Sequence, residues 1–459
     1  MTSVPPSSET APLDPDVARS AAAQVMDLPG ADAVEVVVAA SVTGLTRFAS
    51  SEIIQNTSRK EFQVDVRVVV GDRVASAATN QLDGEHLRRA GARAVEAAAA
   101  ARPDPEFPGL PKASEVGRAE PVYRWDESTA ATTPSGRAAA VASILASSAA
   151  DNVAGMYETS AHSYSIVSSE GIDCHDAYTR AVATCLVDLG DSTGWNESST
   201  HSASLLDLEI IGRGARTKAD DARSPVGADP GVYEVVLEAP AVGVLVEYMA
   251  YSGFGAKQVI EGESFLAERA GDQVAAPSIS VRDDVWHPGS VGLGFDLEGV
   301  PKAPVTVIGN GVALGPVTDL RTSRSMNIEN TGHFSGSSQF GPYAANVVMV
   351  PGDKTLNELV AGVDDGILVT RFHYVNILDR PATLLTGMTR DGTFRIRGGE
   401  VAGPVHNFRF AESVLRALAS AKGVGRDLVA FAPEFGSFGS TVVPALHLGE
   451  FRFASATSH

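Results

Sequence analysis

The chain has 459 residues, a formal net charge of -20 and a hydrophobic content of 44% with 6% aromatics. That length holds two or three domains of ordinary size, with cores built mainly from Ala, Val, Leu and Ile. The acidic balance argues against nucleic acid, which needs a cationic face to release counterions, and no basic run is long enough for a polybasic membrane anchor.

The first stretch, MTSVPPSSETAPLDPD, has neither a basic n-region nor an apolar h-region, and its Pro and Ser content predicts a disordered tail over residues 1–14. No segment reaches the roughly 18 apolar residues of a membrane span. The two cysteines, Cys174 and Cys185, make no disulfide framework. A cytoplasmic protein that avoids membranes and nucleic acid is expected. Asp14-Pro15 opens a helix in DPDVARSAAAQVMDL, and several strand-like runs rich in Val and Ile follow from Ala33. A turn at Gly71-Asp72 joins FQVDVRVVV to RVASAAT, whose alternation suits a half-buried antiparallel sheet. Asp83 caps the Ala-rich helix GEHLRRAGARAVEAAAAA. Residues 15–102 therefore read as one sheet-plus-helix unit.

Residues 103–121 form an extended, Pro-rich linker. The central unit, 122–229, holds the helix TPSGRAAAVASILASSAADN and two or three strands around a turn at Glu170-Gly171. It closes on a composition break, GRGARTKADDARSPVGADPG. From 230 to 459, short strands mix with three expected helices, Ala239–Tyr251, Thr355–Val363 and Ala411–Ala421. The hairpin VTVIGNGVALG carries Asn310-Gly311 at its tip, the strongest short-range hairpin signal. The fold class is α+β: a small N-terminal sheet-plus-helix lobe, a second α+β lobe and a larger β-rich C-terminal domain.

Several constellations carry little chemistry. Cys174-His175 and Cys185 fit no zinc pattern and read as buried small residues. GSVGLG, Gly289–Gly294, follows no strand and opens no helix, so it reads as a flexible turn rather than a phosphate loop. No Gly-x-Ser-x-Gly elbow is present. Two features stand out. Glu247 is a lone carboxylate in the apolar helix VLVEYMAYSGFGAKQ, a costly residue to bury without a partner. NIENTGHFSGSS packs Asn330, Thr331, Gly332 and His333 into a polar loop.

Taken in order, VDVRVVVGDRVASAATNQLDGEHLRRAGARAVEAA, YSIVSSEGIDCHDAYTRAVATCLV, NTGHFSG, DGILVTRF, LLTGMTRDGTFRIRGGEVAGPVHNFRFAESV and PALHLGEFRF resemble successive blocks of the TldD/PmbA family. The resemblance runs from about residue 33 to 453 and implies that family's fold. Its TldD-type members carry His-Glu-x-x-x-His on a helix and a late cysteine, holding zinc with the glutamate as general base. In the present sequence VEYMAY stands at that helix, with Val246 and Tyr251 where the histidines would be and only Glu247 kept. No histidine lies between His201 and His287, VAFAPEFG stands near the late cysteine position, and no cysteine follows Cys185. The resemblance thus implies a PmbA/TldE-type subunit with no metal of its own, paired with a TldD-like subunit that holds zinc. Extended peptide is the implied substrate, bound by main-chain pairing to a sheet edge. Glu247, Asn330, Thr331, Gly332 and His333 become expected contacts for peptide or partner. Two other readings stand beside it. One is a self-sufficient metallopeptidase built on His287, His333, His373, His406 and His447; the other is a peptide-binding scaffold. Pairing with a second copy of the chain is a further possibility.

Overall fold

The structure, a computed structural model, describes residues 5–7, 10–436 and 438–456. Residues 1–4 and 8–9 of the expected tail lie outside the described residues. In the rest of that segment Leu13 is buried in the first core, and the Ser7 N–H donates to Glu127 Oε1 at 2.6 Å.

Six strands make the first sheet: β1 (Ala33–Ala49), β2 (Glu52–Val70), β3 (Arg73–Thr79), β4 (Val153–Ser168), β5 (Asp173–Asp188) and β6 (Thr193–Thr200). Their order is β3-β2-β1-β4-β5-β6, antiparallel throughout, so the segments before and after the Pro-rich linker share one sheet. The seam between them is the β1–β4 pair, in register from Glu35 opposite Ser168 to Phe48 opposite Gly155. Helices Pro15–Ala23 and Gly84–Ala100 pack on β1 and β2 through Val36, Val38, Val64 and Val66. Helices Pro134–Ser148 and Leu208–Asp221 pack farther along, over Phe48, Tyr157 and Ala183. Strand β5 is buried almost without interruption because Cys174 and Tyr178 are also covered on the opposite face, by Val291, Leu293 and Phe295. Burial on both faces replaces alternation with a continuous apolar run.

The C-terminal region builds two further sheets from β7 (Gly231–Leu237), β8 (Val281–Asp283), β9 (Val305–Gly309), β10 (Val312–Ala313), β11 (Asn346–Met349), β12 (Asp365–Asp379), β13 (Leu384–Arg397), β14 (Glu400–Pro404), β15 (Phe408–Ser413), β16 (Ala421–Val424), β17 (Val429–Phe431), β18 (Ser440–Val443) and β19 (Leu446–Ala456). One runs β10-β9-β8-β11-β18-β17. The other runs β12-β7-β19-β15-β13-β14, and the added pairing of β12 with β13 closes five of its strands into a ring. Phe372, Phe408, Phe410, Phe451 and Phe453 are buried and in ring contact there. The apolar helix Ala239–Gly253 is buried among these elements. The whole is α+β, with two N-terminal sheet-and-helix lobes and a larger β-rich C-terminal region.

Three local expectations are corrected. The helix expected over Ala411–Ala421 is helical only from Val414 to Ala419; Ala411 to Ser413 belong to β15, and Ala421 begins β16. Pairing with β13 and β19, distant in sequence, overrides local helix propensity. The expected flexible turn at Gly289–Gly294 is mostly buried: Val291 and Leu293 pack on the first sheet, and a Cβ at Gly294 would stand 2.2 Å from Glu120 O. The composition break beginning at Gly212 opens inside the helix Leu208–Asp221, whose small residues allow close approach: a Cβ at Gly212 would meet Ile144 O at 2.4 Å.

Candidate functional site

Between the first sheet and the C-terminal region lies a cleft of about 580 Å³. Arg47 and Phe48 of β1, Trp195 and Glu197 of β6, Tyr248 of the central helix and Arg371 of β12 are among its lining residues. Arg371 stacks over Trp195, with the guanidinium carbon 4.0 Å from the ring centroid, and donates from Nε to Asp391 Oδ2 at 2.6 Å. Asp391 also accepts from Thr193 Oγ1 at 2.7 Å. One buried carboxylate therefore ties β6 of the N-terminal sheet to the β12–β13 hairpin and holds the cleft's shape. Burial raises the Glu197 carboxyl, with the Arg371 charge opposing it. Tyr374 at the rim is 72% exposed.

Glu247 lies in the central helix beside this cleft, 5% exposed. Its Oε1 accepts from Glu434 N at 2.6 Å and Phe435 N at 3.2 Å, and its Oε2 accepts from Thr441 Oγ1 at 3.2 Å. Burial pushes the carboxyl up to about 7 against the pull of those three donors. The lone acid thus anchors the loop before β18, in the same VAFAPEFG stretch that stands near the expected late-cysteine position. Val246 is fully buried in the core. Tyr251 stacks on Phe435 at 4.1 Å between centroids and also meets Phe340 and Tyr343. Where a metalloprotease helix would present imidazoles, this one presents an aliphatic core residue and one member of an aromatic cluster.

His333 is 1% exposed. Its Nδ1 pairs with Thr331 Oγ1 at 2.9 Å and its Nε2 with Asp283 Oδ1 at 3.0 Å. Burial alone would raise the Asp283 carboxyl, but the charge and hydrogen bond of His333 hold it below its ordinary range. Asn330 Oδ1 accepts from Gly332 N at 3.0 Å, and Gly332 has φ +71 with a virtual Cβ 2.2 Å from Pro301 O. The Asn330–His333 segment is therefore an internal brace between β8 and the irregular segment before β9. Tyr343 stands between the two sites: its hydroxyl is raised by burial and then by the charges of Glu247 and Asp283.

His447 is paired with Glu234 at 2.6 Å, far from the His333 brace in partners. Among the described residues no group of three or more His, Cys, Asp and Glu side chains could hold a metal ion. Both cysteines are buried thiols, pushed up by burial. The cleft residues Arg371, Trp195 and Glu197 carried no sequence signal, because they come from distant strands and form no local pattern.

Comparison with known proteins shows a family and a fold. The family model described as the PmbA/TldA metallopeptidase C-terminal domain matches residues 230–455, and that of PmbA/TldA metallopeptidase domain 1 matches residues 34–98. A metalloprotease of Methanothermobacter thermautotrophicus is 25% identical over 228 residues, 48% of this chain and 49% of that one. A metalloprotease TldD homolog of Haemophilus influenzae is 29% identical over 153 residues, 32% of each chain. The chain thus spans about half the length, or less, of the curated relatives it matches. Among solved structures, TldE from Thermococcus kodakarensis superposes with a TM-score of 0.83 at 19% identity, covering 96% of this chain and 99% of that one. A candidate modulator of a DNA gyrase from Thermotoga maritima gives 0.80 at 20% identity, covering 92% and 96%. At such identities these two likenesses speak for the fold.

Proposed function

Because the chain belongs to the PmbA/TldD metallopeptidase family, we propose that it is the non-catalytic, TldE-type subunit of a zinc metallopeptidase. Its partner is a TldD-like chain that supplies the metal and general base. The observation that carries this reading is the state of the central helix. Glu247 spends its carboxylate on Glu434, Phe435 and Thr441, while Val246 and Tyr251 are packed in apolar and aromatic surroundings. A general base must reach a metal-bound water, and an acid committed to two backbone amides and a hydroxyl has no such reach. The substrate is an extended peptide in the cleft between the first sheet and β12, and the assembly works in the cytoplasm. In this reading Glu247 and Asn330–His333 act from beneath the contact surface. They fix the loops at 434–436 and 334–341 that face peptide or partner.

The test is reconstitution. Purified without an affinity tag, the chain alone should carry far less than one zinc and cleave no peptide. Mixed with a TldD-like chain it should form a stable complex, burying more than roughly 2,000 Å², that does cleave. Stoichiometric zinc in the isolated chain, lost on replacing C-terminal histidines, would favour the self-sufficient peptidase instead. Failure to associate with any TldD-like chain would favour the scaffold.

A further inference from the structure

A second cavity, about 260 Å³, lies away from the cleft. It forms where edge strand β3, the Pro-rich linker and the C-terminal region meet, and its wall includes Arg67, Ser76, Phe107, Glu298, Asp319 and Phe334. Glu298 is 5% exposed, and only one of its oxygens is used. Oε1 accepts from Arg67 Nη2 at 2.8 Å, whereas Oε2 is buried with no hydrogen-bond partner among the described residues. Asp319, 2% exposed, spends Oδ1 on the N–H and hydroxyl of Thr322.

The charges around the cavity do not balance. Glu35, Glu298, Asp319 and Asp296 outnumber the buried cations: Arg67 is already divided between Glu35 at 3.0 Å and Glu298 at 2.8 Å, and the Lys302 charge is shared among Asp283, Asp296 and Asp176. Arg321, at the rim, is committed to Asp104 in a two-pronged pair and lies 3.7 Å from Glu106. Buried carboxylates in excess of cations are costly unless a positive group joins them. Burial accordingly raises both Glu35, to about 7, and Glu298. An anion is disfavoured because both guanidinium groups already hold carboxylates.

We propose that this cavity binds a primary ammonium group, held by Glu298 Oε2 with Asp319 opposite and the ring of Phe334 as an apolar wall. The volume admits a group of a few heavy atoms beyond the nitrogen, of the size of one residue. Two sources share that chemistry: a small alkylamine, and the free N-terminus of a peptide. The neighbouring edge suits the second. Val70 and Arg73 flank the two-residue turn, so alternate residues Val74 and Ser76 turn their peptide groups away from β2. A chain entering amino end first could pair with them. The site is independent of the zinc-partner reading, since it lies wholly in this chain and needs no cleavage.

The experiment is calorimetric titration of the full chain with n-butylammonium, with the tripeptide Ala-Ala-Ala and with its N-acetylated form. Butylammonium should bind, and acetylation should weaken the tripeptide by at least about tenfold, as expected when a buried carboxylate loses its charged partner. Butylammonium bound with the free tripeptide ignored assigns the site to small amines; tighter tripeptide binding assigns it to peptide N-termini. Glu298→Gln should abolish binding. If that variant folds poorly, Ser76→Trp, which fills the cavity from the exposed edge strand, should abolish it instead. The proposal is overturned by no heat from butylammonium, by measurable and equal binding of the acetylated and free tripeptides, by retained binding in folded Glu298→Gln, or by potassium displacing butylammonium at equal concentration.

Discussion

Glu247 sits in a helix with no cation beside it, yet its carboxylate is satisfied by two backbone amides and a hydroxyl from a loop almost two hundred positions away in sequence. Its folded-state value near 7 lies above the ordinary 4.5, so burial costs more than the donors return in the charged form. The sign follows from linkage. A raised carboxyl contributes stability that is present below about 4.5 and is lost as pH rises through about 7. Glu247→Gln, which cannot ionise, should therefore trail the wild type at pH 5 and match or exceed it at pH 8. The relative change should be about 2–3 kcal/mol, read from urea midpoints at the two values. An unchanged difference between variant and wild type would remove the titration from Glu247. His333 makes the opposite case, since its partner Asp283 is held low. His333→Ala leaves that buried carboxylate to the Asn346 N–H and the Lys302 charge, and the expected loss is up to about 3–5 kcal/mol in the same assay. A loss under about 1 kcal/mol would mean that the brace carries little.

At the scale of elements, local signals set most boundaries. Asp14, Asp83, Thr133 and Thr355 each cap the helix that their sequence announces, and Asn310-Gly311 turns β9 into β10 with both residues at positive φ. The Ser50-Ser51 turn escaped because serine seldom accepts φ of 49 and 60, which only the long β1–β2 pairing enforces here. The helix Leu320–Met326 also escaped, although its Asp319/Thr322 capping box is written in the sequence. The candidate site was partly legible. Glu247 and the Asn330–His333 loop were visible as anomalies of residue type, whereas their partners Thr441, Phe435 and Asp283 arrive through tertiary packing. Glycine separates backbone demand from crowding. Gly71 and Gly332 both have positive φ, +63 and +71, but a Cβ at Gly71 meets open space while one at Gly332 meets Pro301 O at 2.2 Å. Gly71→Ala should cost about 1 kcal/mol, the ordinary left-handed penalty, and Gly332→Ala clearly more, since backbone must shift as well. Equal costs in denaturant melts would deny the close approach.

For the whole molecule, the decisive pairing is β1 with β4, which joins the segments on either side of the linker. The linker reads from sequence as a boundary because it is rich in Pro and poor in core residues. The sheet crosses that boundary, and no local pattern could reveal it, since register between distant strands is set by shared burial. Several ties hold the N-terminal segment in place besides the linker itself, three of them prominent. The β1–β4 ladder runs from Glu35 to Phe48, Arg67 of β2 reaches Glu298 in the C-terminal region, and buried Arg137 donates to Thr57 O and Ser58 Oγ on β2. Cutting the chain within residues 103–121 should therefore leave both pieces together. A long central ladder with apolar faces is not released by one break in a connection that lies mostly at the surface, with only Leu110, Pro111 and Ala119 buried among its residues. With a protease site inserted in the linker, the nicked protein should elute from size exclusion as one species at the uncut position and separate only in denaturant. Residues 15–102 expressed alone should aggregate or remain unfolded, because they would expose the inner edge of β1, whose Val36 and Val38 belong to the core. Clean separation of the nicked pieces in native buffer, with each still folded, would show that the linker and not the sheet joins the two lobes.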